Sequence, residues 1–262
     1  MTCGNLIARM PETMTATDSS PAPAAGRRPA RVLLLIPAYN EGARVRALIE
    51  RARGILPETE VLVVDDGSSD STASEASAGG AWVARHPFNL GYGAALQTGY
   101  RFALERQFGL LLQMDADGQH DPLCLRDLLG PVAEGRADVA IGSRFLESGD
   151  YKSSAARRLG SALFGLLASA ITGKRITDPT SGFWAMNRTA FELCASDAFP
   201  HDYPDADVLI ALHRAGLRTL EVPVRMFPRV DGPSMHGGLR PFYYVFKMTL
   251  SIFVELLRKR RR

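Results

Sequence analysis

The sequence predicts an α/β fold built on a mostly parallel central sheet flanked by helices. Three observations predict it. Short continuous apolar runs recur at residues 31–36, 60–64 and 110–114, and runs of this length rich in Val, Leu and Ile mark strands buried on both faces. Segments with helical spacing alternate with them, which implies parallel strands joined by right-handed crossovers. A polar cluster follows each run, at 37–41, 65–70 and 115–120. In such sheets ligands sit beyond the carboxyl ends of the strands.

Taken in order, Arg31-Val-Leu-Leu-Leu-Ile36 is a first strand, ended by Pro37. Residues 41–53 turn helical, with Val45, Leu48 and Ile49 apolar between arginines. The β-branched run 60–64 is a second strand, closed by Asp65-Asp66-Gly67-Ser68-Ser69-Asp70, where Ser69 or Asp70 would cap the next helix. A short third strand is expected at 82–84, a helix at 92–108, a fourth strand at 110–114 and a fifth at 139–141. The second half is less regular. Residues 157–176 are small and apolar with basic residues at both ends, and a Gly/Pro-punctuated loop spans 178–188. A helix at 207–215 and an edge strand at 220–226 follow. The division expected is a disordered leader over 1–30, one domain over 31–238, and an apolar helix with a basic tail over 239–262.

Composition bounds the function. Hydrophobic residues make up 46% of the 262 residues and charged residues 23%, as in globular proteins. The formal charge is +3, yet the last five residues, Arg258 to Arg262, are all basic, so the remainder carries −2. Local basicity of that kind suits an anionic surface near the C-terminus, and with no basic face interleaved with aromatics it argues against nucleic acid. Cys3, Cys124 and Cys194 are isolated, which signals neither a zinc site nor a disulfide framework, and a reducing cytosol is the default reading. No apolar run reaches the about eighteen residues of a membrane span.

The strongest motif is Asp115-Ala116-Asp117-Gly118-Gln119-His120, directly after a hydrophobic strand. Two carboxylates one residue apart at a strand end can hold a hard divalent cation, Mg²⁺ or Mn²⁺, against a diphosphate. The same spacing also occurs in solvated loops. Asp65-Asp66-Gly67-Ser68 suits a capped turn, and a carboxylate there could equally accept an N–H from a nucleotide base. Pro37-Ala38-Tyr39-Asn40-Glu41 offers an aromatic face and a carboxylate for a ribose, or a simple strand-to-helix turn capped by Asn40.

Seven elements in one order resemble the family 2 inverting glycosyltransferases of GT-A fold, with a Rossmann-like sheet, and among them the dolichyl- and polyprenyl-phosphate mannose or glucose synthases. They are Pro37-Ala-Tyr-Asn-Glu41, Val64-Asp-Asp-Gly-Ser-Ser-Asp70, Asn89-Leu-Gly-Tyr-Gly-Ala-Ala95, Asp115-Ala-Asp-Gly-Gln-His120, Gly142-Ser-Arg144, Asp178-Pro-Thr-Ser-Gly-Phe183, and Arg229 with Gly232 and Ser234. The resemblance implies that Pro37, Ala38, Tyr39, Glu41 and Asp66 hold the nucleoside of a GDP- or UDP-sugar. It implies that Asp115, Ala116, Asp117 and Gln119 bind the diphosphate, with Asp115, Asp117 and Gln119 on the Mg²⁺ or Mn²⁺. Arg144 and Arg229 would face phosphates, a task suited to the planar guanidinium. Arg157 or Arg158 would meet the phosphate of a polyprenyl-phosphate acceptor. Two positions depart from the pattern. Met235 follows Ser234 where the family usually has Lys, and Tyr92 stands where it often has a basic residue.

Transfer to a sugar hydroxyl would need a base, and Asp205 and Asp207 are the candidates, although acids in a first helical turn also favour the macrodipole. A phosphate acceptor has a second pKa of about 6 and can attack without losing a proton. The apolar stretch 242–257, with aromatics at one end and arginines at the other, suits an interfacial helix on the cytoplasmic face of a membrane. A core helix, or docking on an integral-membrane partner, would give the same pattern. The other readings are a transferase acting on a hydroxyl, and a non-catalytic nucleotide-sugar-binding or tethering protein.

Overall fold

The computed structural model describes residues 30–146, 155–197, 199–200, 204–227, 247, 249–254 and 257; within the helix at 155–172 it describes side chains from 164 onward. Residues 1–29 of the leader lie outside the described residues, as do Arg229, Met235 and most of 239–262.

A seven-stranded sheet runs in the order β3-β2-β1-β4-β6-β5-β7. Its strands are β1 (Val32–Ala38), β2 (Glu60–Asp65), β3 (Trp82–Arg85), β4 (Leu110–Gln113), β5 (Val139–Ser143), β6 (Trp184–Asn187) and β7 (Thr219–Pro223). All neighbours pair parallel except at β6, which is antiparallel to both β4 and β5. The helices are α1 (Val45–Ile55), α2 (Thr72–Ala78), α3 (Tyr92–Glu105), α4 (Leu125–Ala133), α5 (Ala155–Thr172), α6 (Arg188–Cys194) and α7 (Ala206–Arg214). The expected class, mostly parallel and helix-flanked, is the observed one.

The apolar runs explain the layering. Leu33 and Leu35 face one hydrophobic cluster with Tyr100, Phe108, Phe191 and Leu209. Leu34 and Ile36 face the other, with Val45, Ile49, Leu125 and Leu128. Alternate residues of a strand point to opposite faces, so a strand covered on both sides is apolar throughout. Helix α3 reaches β1 closely because Gly99 has no side chain: a Cβ there would stand 2.2 Å from a Leu35 methyl.

Several boundaries shift for identifiable reasons. β1 continues through Pro37 to Ala38. Its pairing with β4 ends at Leu35 opposite Gln113, so the N–H that proline lacks is not needed there. α1 starts at Val45, later than expected, because Glu41 to Arg44 form a turn closed by Glu41 O. At α2 the N-cap position is Ser71, without a side-chain bond; Asp70 Oδ1 takes the Thr72 N–H from one residue earlier, at 3.0 Å. β7 is an edge strand ending at Pro223, and Met226 is instead bridged to His120. Helices α4 and α6 and strand β6 were not expected from the sequence.

The C-terminal part packs on this body. Lys247, residues 249–254 and Leu257 are helical, and Ile252 is buried with Phe164, Ala206 and Ile210. Among the described residues no helix is long and apolar enough to cross a membrane.

Candidate active site

The strand order turns around between β1 and β4: β2 and β3 lie to one side, β6, β5 and β7 to the other. Crevices at such switch points, outside the carboxyl ends, are where open α/β sheets bind ligands. The polar clusters close this edge. Tyr39 and Asn40 follow β1, Asp66 follows β2, Asp115 to His120 follow β4, and Arg144 follows β5. Because β6 runs the other way, its start also lies here, preceded by the loop 178–183.

The β1 and β2 tips are laced together. Asn40 adopts φ 56°, and its Oδ1 accepts the Ser69 N–H at 2.9 Å while its own N–H reaches Ser68 Oγ. Asn40 thus caps the β2 turn and not α1. Glu41 is buried and ion-paired with Arg44 at 3.0 Å. Tyr39, just after β1, is half exposed. Asp66 is buried and engaged by its own chain: Leu90 and Gly91 N–H groups at 2.9 Å, and His86 Nδ1 at 2.7 Å. Pro37 and Ala38 are buried strand residues.

Asp66 in turn fixes Gly91, the residue before Tyr92, and Tyr92 Oη donates to Asp115 Oδ1 at 2.8 Å. Asp66 and the acidic motif are therefore connected through the start of α3. Asp115 Oδ2 accepts no hydrogen bond among the described residues, with His120 Nε2 at 3.8 Å. Burial pushes the Asp115 carboxyl above the ordinary range; the charge of Asp117 adds to this, and His120 opposes it. His120 is buried and stacked on Phe183 at 4.7 Å. Its Nδ1 accepts the Asp115 N–H at 3.1 Å, so the proton sits on Nε2, and burial lowers the pKa further towards that neutral form.

Ala116 is buried between the two acids. Asp117 is half-buried and accepts from the Gln119 backbone at 3.0 Å and the Gln119 side-chain amide at 2.5 Å. In this arrangement Gln119 orients Asp117. Among the described residues no group of three or more His, Cys, Asp and Glu gathers. The protein donors fit a hard cation all the same, being carboxylate oxygens, one of them unengaged, and positions would be left for phosphate oxygens.

The cationic side chains are distributed differently from expectation. Arg144 forms a fork onto buried Asp178, with Nε and Nη2 at 2.7 and 2.6 Å, and reaches Thr180 at 3.0 Å. Arg157 and Arg158 stand in the first turn of α5, their side chains outside the described set. Asp205 is the N-cap residue of α7, where its side chain makes no cap hydrogen bond. Asp207 is buried, accepts the Asp205 and Val208 N–H groups, and receives a short hydrogen bond from Ser251 Oγ. Burial raises its pKa.

Other site residues had no role assigned from the sequence. Gln113 donates to Gly182 O at 3.0 Å and accepts from Tyr100 Oη at 2.6 Å. Gly182 lies so close that a Cβ would meet Asp115 Oδ2 at 2.8 Å and Tyr92 Oη at 2.9 Å. Glu221 accepts the Thr177 and Asp178 N–H groups, both at 2.8 Å, and so sets the loop carrying Gly182. A polar Gln ending an apolar strand was the visible signal for Gln113, and Gly182 lies within the Asp178 to Phe183 element. After β7 the chain crosses back to the motif, with Asp121 N–H on Arg225 O and Phe227 N–H on Gln119 O at 2.7 Å.

A doubly wound sheet with an acidic pair at its switch point and an antiparallel strand beside the motif strand is a glycosyltransferase domain of GT-A fold. Glucosyl-3-phosphoglycerate synthase from Mycobacterium tuberculosis superposes with a TM-score of 0.65 at 22% identity, covering 86% of this chain and 80% of that one. Its complex with Mn²⁺ and UDP-glucose superposes with a TM-score of 0.61. The family model described as "Glycosyl transferase family 2" matches residues 34–194, and the chain belongs to that family. Its relatives include an undecaprenyl-phosphate mannosyltransferase from Micrococcus luteus, 35% identical over 80% of this chain and 89% of the relative. A polyprenol monophosphomannose synthase from Mycolicibacterium smegmatis is 33% identical over 86% and 88% of the two chains.

Proposed function

We propose that this enzyme transfers one hexose, with inversion, from a GDP- or UDP-sugar to a polyprenyl phosphate at a membrane surface. The observation that carries the reading is the position of Asp115 and Asp117 at the switch point, next to the strand tips bearing Tyr39 and Asp66. The relatives named for undecaprenyl-phosphate and polyprenol substrates support the acceptor class. The neighbour crystallised with Mn²⁺ and UDP-glucose supports the donor class.

Asp115 and Asp117 would hold Mg²⁺ or Mn²⁺, which when bound offsets the charge developing on the leaving diphosphate. Gln119 orients Asp117, and buried Ala116 separates the two acids by one residue. Tyr39 and the adjoining Pro37 and Ala38 frame the nucleoside, with Glu41 towards its ribose. Asp66 shapes the wall behind the base by tying residues 86–91 to β2. Arg144 acts through Asp178 on the loop 178–183, and Arg229, two residues beyond Phe227, serves a phosphate. Arg157 or Arg158 serves the lipid phosphate. A dianionic phosphate acceptor carries its own nucleophilic oxygen, so no general base is required. That agrees with Asp207, whose carboxylate is used by Ser251 and backbone donors.

A second reading takes Asp205, at the start of α7, as the base for a hydroxyl acceptor. The product distinguishes the two. Incubation with undecaprenyl or dolichyl phosphate in vesicles, a panel of GDP- and UDP-sugars and Mn²⁺ or Mg²⁺ should give a lipid-linked sugar released by mild acid. An acid-stable glycolipid favours the hydroxyl reading, and absence of product across the panel defeats both.

The membrane side of the proposal rests on residues 249–257. Leu250, Phe253, Val254 and Leu257 are between 44% and 70% exposed and recur at the spacing of one helical face. The basic run Arg258 to Arg262 follows directly. An outward apolar stripe with adjoining cations suits an anionic lipid surface, on the cytoplasmic face.

A further inference from the structure

We propose that Tyr92 is a positioning residue of the cation site: its hydroxyl holds one oxygen of Asp115 and so turns the other, Oδ2, towards the metal. The inference rests on the reading that Asp115 and Asp117 hold a divalent cation. The direction of each hydrogen bond is fixed by chemistry. A carboxylate can only accept, so the phenol donates its proton to Asp115 Oδ1 at 2.8 Å. The phenol oxygen then faces the Gln113 amide nitrogen at 3.4 Å. That amide has one orientation, because its oxygen accepts from Tyr100 and its nitrogen donates to Gly182 O. Tyr100 and Gln113 are buried. Tyr92 itself is anchored by α3, which packs on β1 at Gly99 and is held at its start by Asp66. The phenol is thus supported from behind by a satisfied network and from the side by Gly182, where even a methyl group would collide with it.

The consequence concerns how Asp115 coordinates. With one lone pair of Oδ1 taken by the phenol, the carboxylate is biased towards binding through Oδ2, and its plane is set before a cation arrives. Groups that orient metal ligands in this way change metal affinity by roughly tenfold to a hundredfold when removed. Tyr92 therefore does here, through a neutral hydrogen bond, something different from the basic residue that the resemblance leads one to expect at this position.

The test compares wild type with Tyr92→Phe, which keeps the ring and its packing. Free Mn²⁺ is followed by electron paramagnetic resonance during titration with GDP or UDP present, alongside nucleotide binding and thermal unfolding without metal. The variant should bind Mn²⁺ about tenfold more weakly, keep its metal-free melting temperature and metal-free nucleotide affinity, and recover most transfer activity at saturating Mn²⁺. Equal Mn²⁺ affinity in both proteins overturns the inference and leaves the cation reading standing. A variant that loses metal-free stability and nucleotide binding together also overturns it, since Tyr92 is then only structural. Wild type that binds no Mn²⁺ defeats both.

Discussion

Asp115 and Asp138 stand at opposite ends of the same sheet and are treated in opposite ways. Asp138, at the amino end of β5, is saturated: Asn187 Nδ2 at 2.9 Å, the Arg218 N–H at 2.7 Å, and Arg218 Nε and Nη2 at 3.1 Å all donate to it. The Arg218 hydrogen bonds hold its carboxyl below the usual range. Asp115 receives one side-chain donor, keeps one oxygen unengaged, and has its carboxyl pushed up by burial. A carboxylate whose lone pairs are all answered within the chain is joinery between strands. One left partly unanswered, with its side chain 30% exposed at the crevice, is open to a partner from outside the chain.

The contrast can be broken by substitution. Replacing Asp115 or Asp117 by Asn should lower lipid-linked product formation by on the order of a thousandfold while leaving the melting temperature close to wild type, because several kcal/mol of charge stabilisation act in the reaction and not in folding. Near-normal turnover would remove the distinction. Gly182→Ala should cost roughly tenfold to a hundredfold in turnover, since the new methyl displaces Asp115 or Tyr92; a crystal structure of the variant should show Asp115 moved.

At the other end, Asp138→Asn should leave Mn²⁺ binding untouched and destabilise the fold by about 1–2 kcal/mol in chemical denaturation at neutral pH. The sign with pH follows from the lowered pKa. The stabilisation is fully present above the unfolded carboxylate pKa of about 3.9 and fades as pH falls through the lower folded value, so the two proteins should converge under acid conditions. A gap that persists in acid would mean that packing, and not charge, is what Asp138 supplies. The smallest effect is expected for Phe253→Asp, which should weaken sedimentation with anionic vesicles by a few-fold, up to about tenfold, without altering activity on a detergent-dispersed acceptor. Unchanged sedimentation would place the anchor elsewhere.

The sheet was legible where hydrophobic continuity is strongest. Leu33 to Ile36, Val61 to Val64 and Leu110 to Met114 announce buried strands, and polar residues after each announce the working edge. β6 was hidden because four residues after a Gly/Pro loop have no periodicity of their own, and α4 because Pro131 sits inside it. At the site, the acids were visible as residues but their partners were not. Arg144 finds Asp178, and Asp66 finds Leu90 and Gly91, across separations of 34, 24 and 25 residues that only the folded chain closes. Of the two roles the sequence leaves open for the Pro37 to Glu41 segment, the helix cap is not formed: Asn40 caps a neighbouring turn, because its left-handed backbone aims the side chain across to Ser69. Tyr92 appeared only as a departure from a pattern until its hydroxyl was seen against Asp115.

The return of the chain from β7 to the acidic motif gives the molecule a built-in reporter. The Phe227 amide proton is held by Gln119 O and by no strand ladder, so its exchange with deuterium depends on whether the loop after β4 is in place. Slowed exchange at that one amide on adding a nucleotide diphosphate with Mn²⁺ would register loop closure directly, without any measurement of turnover.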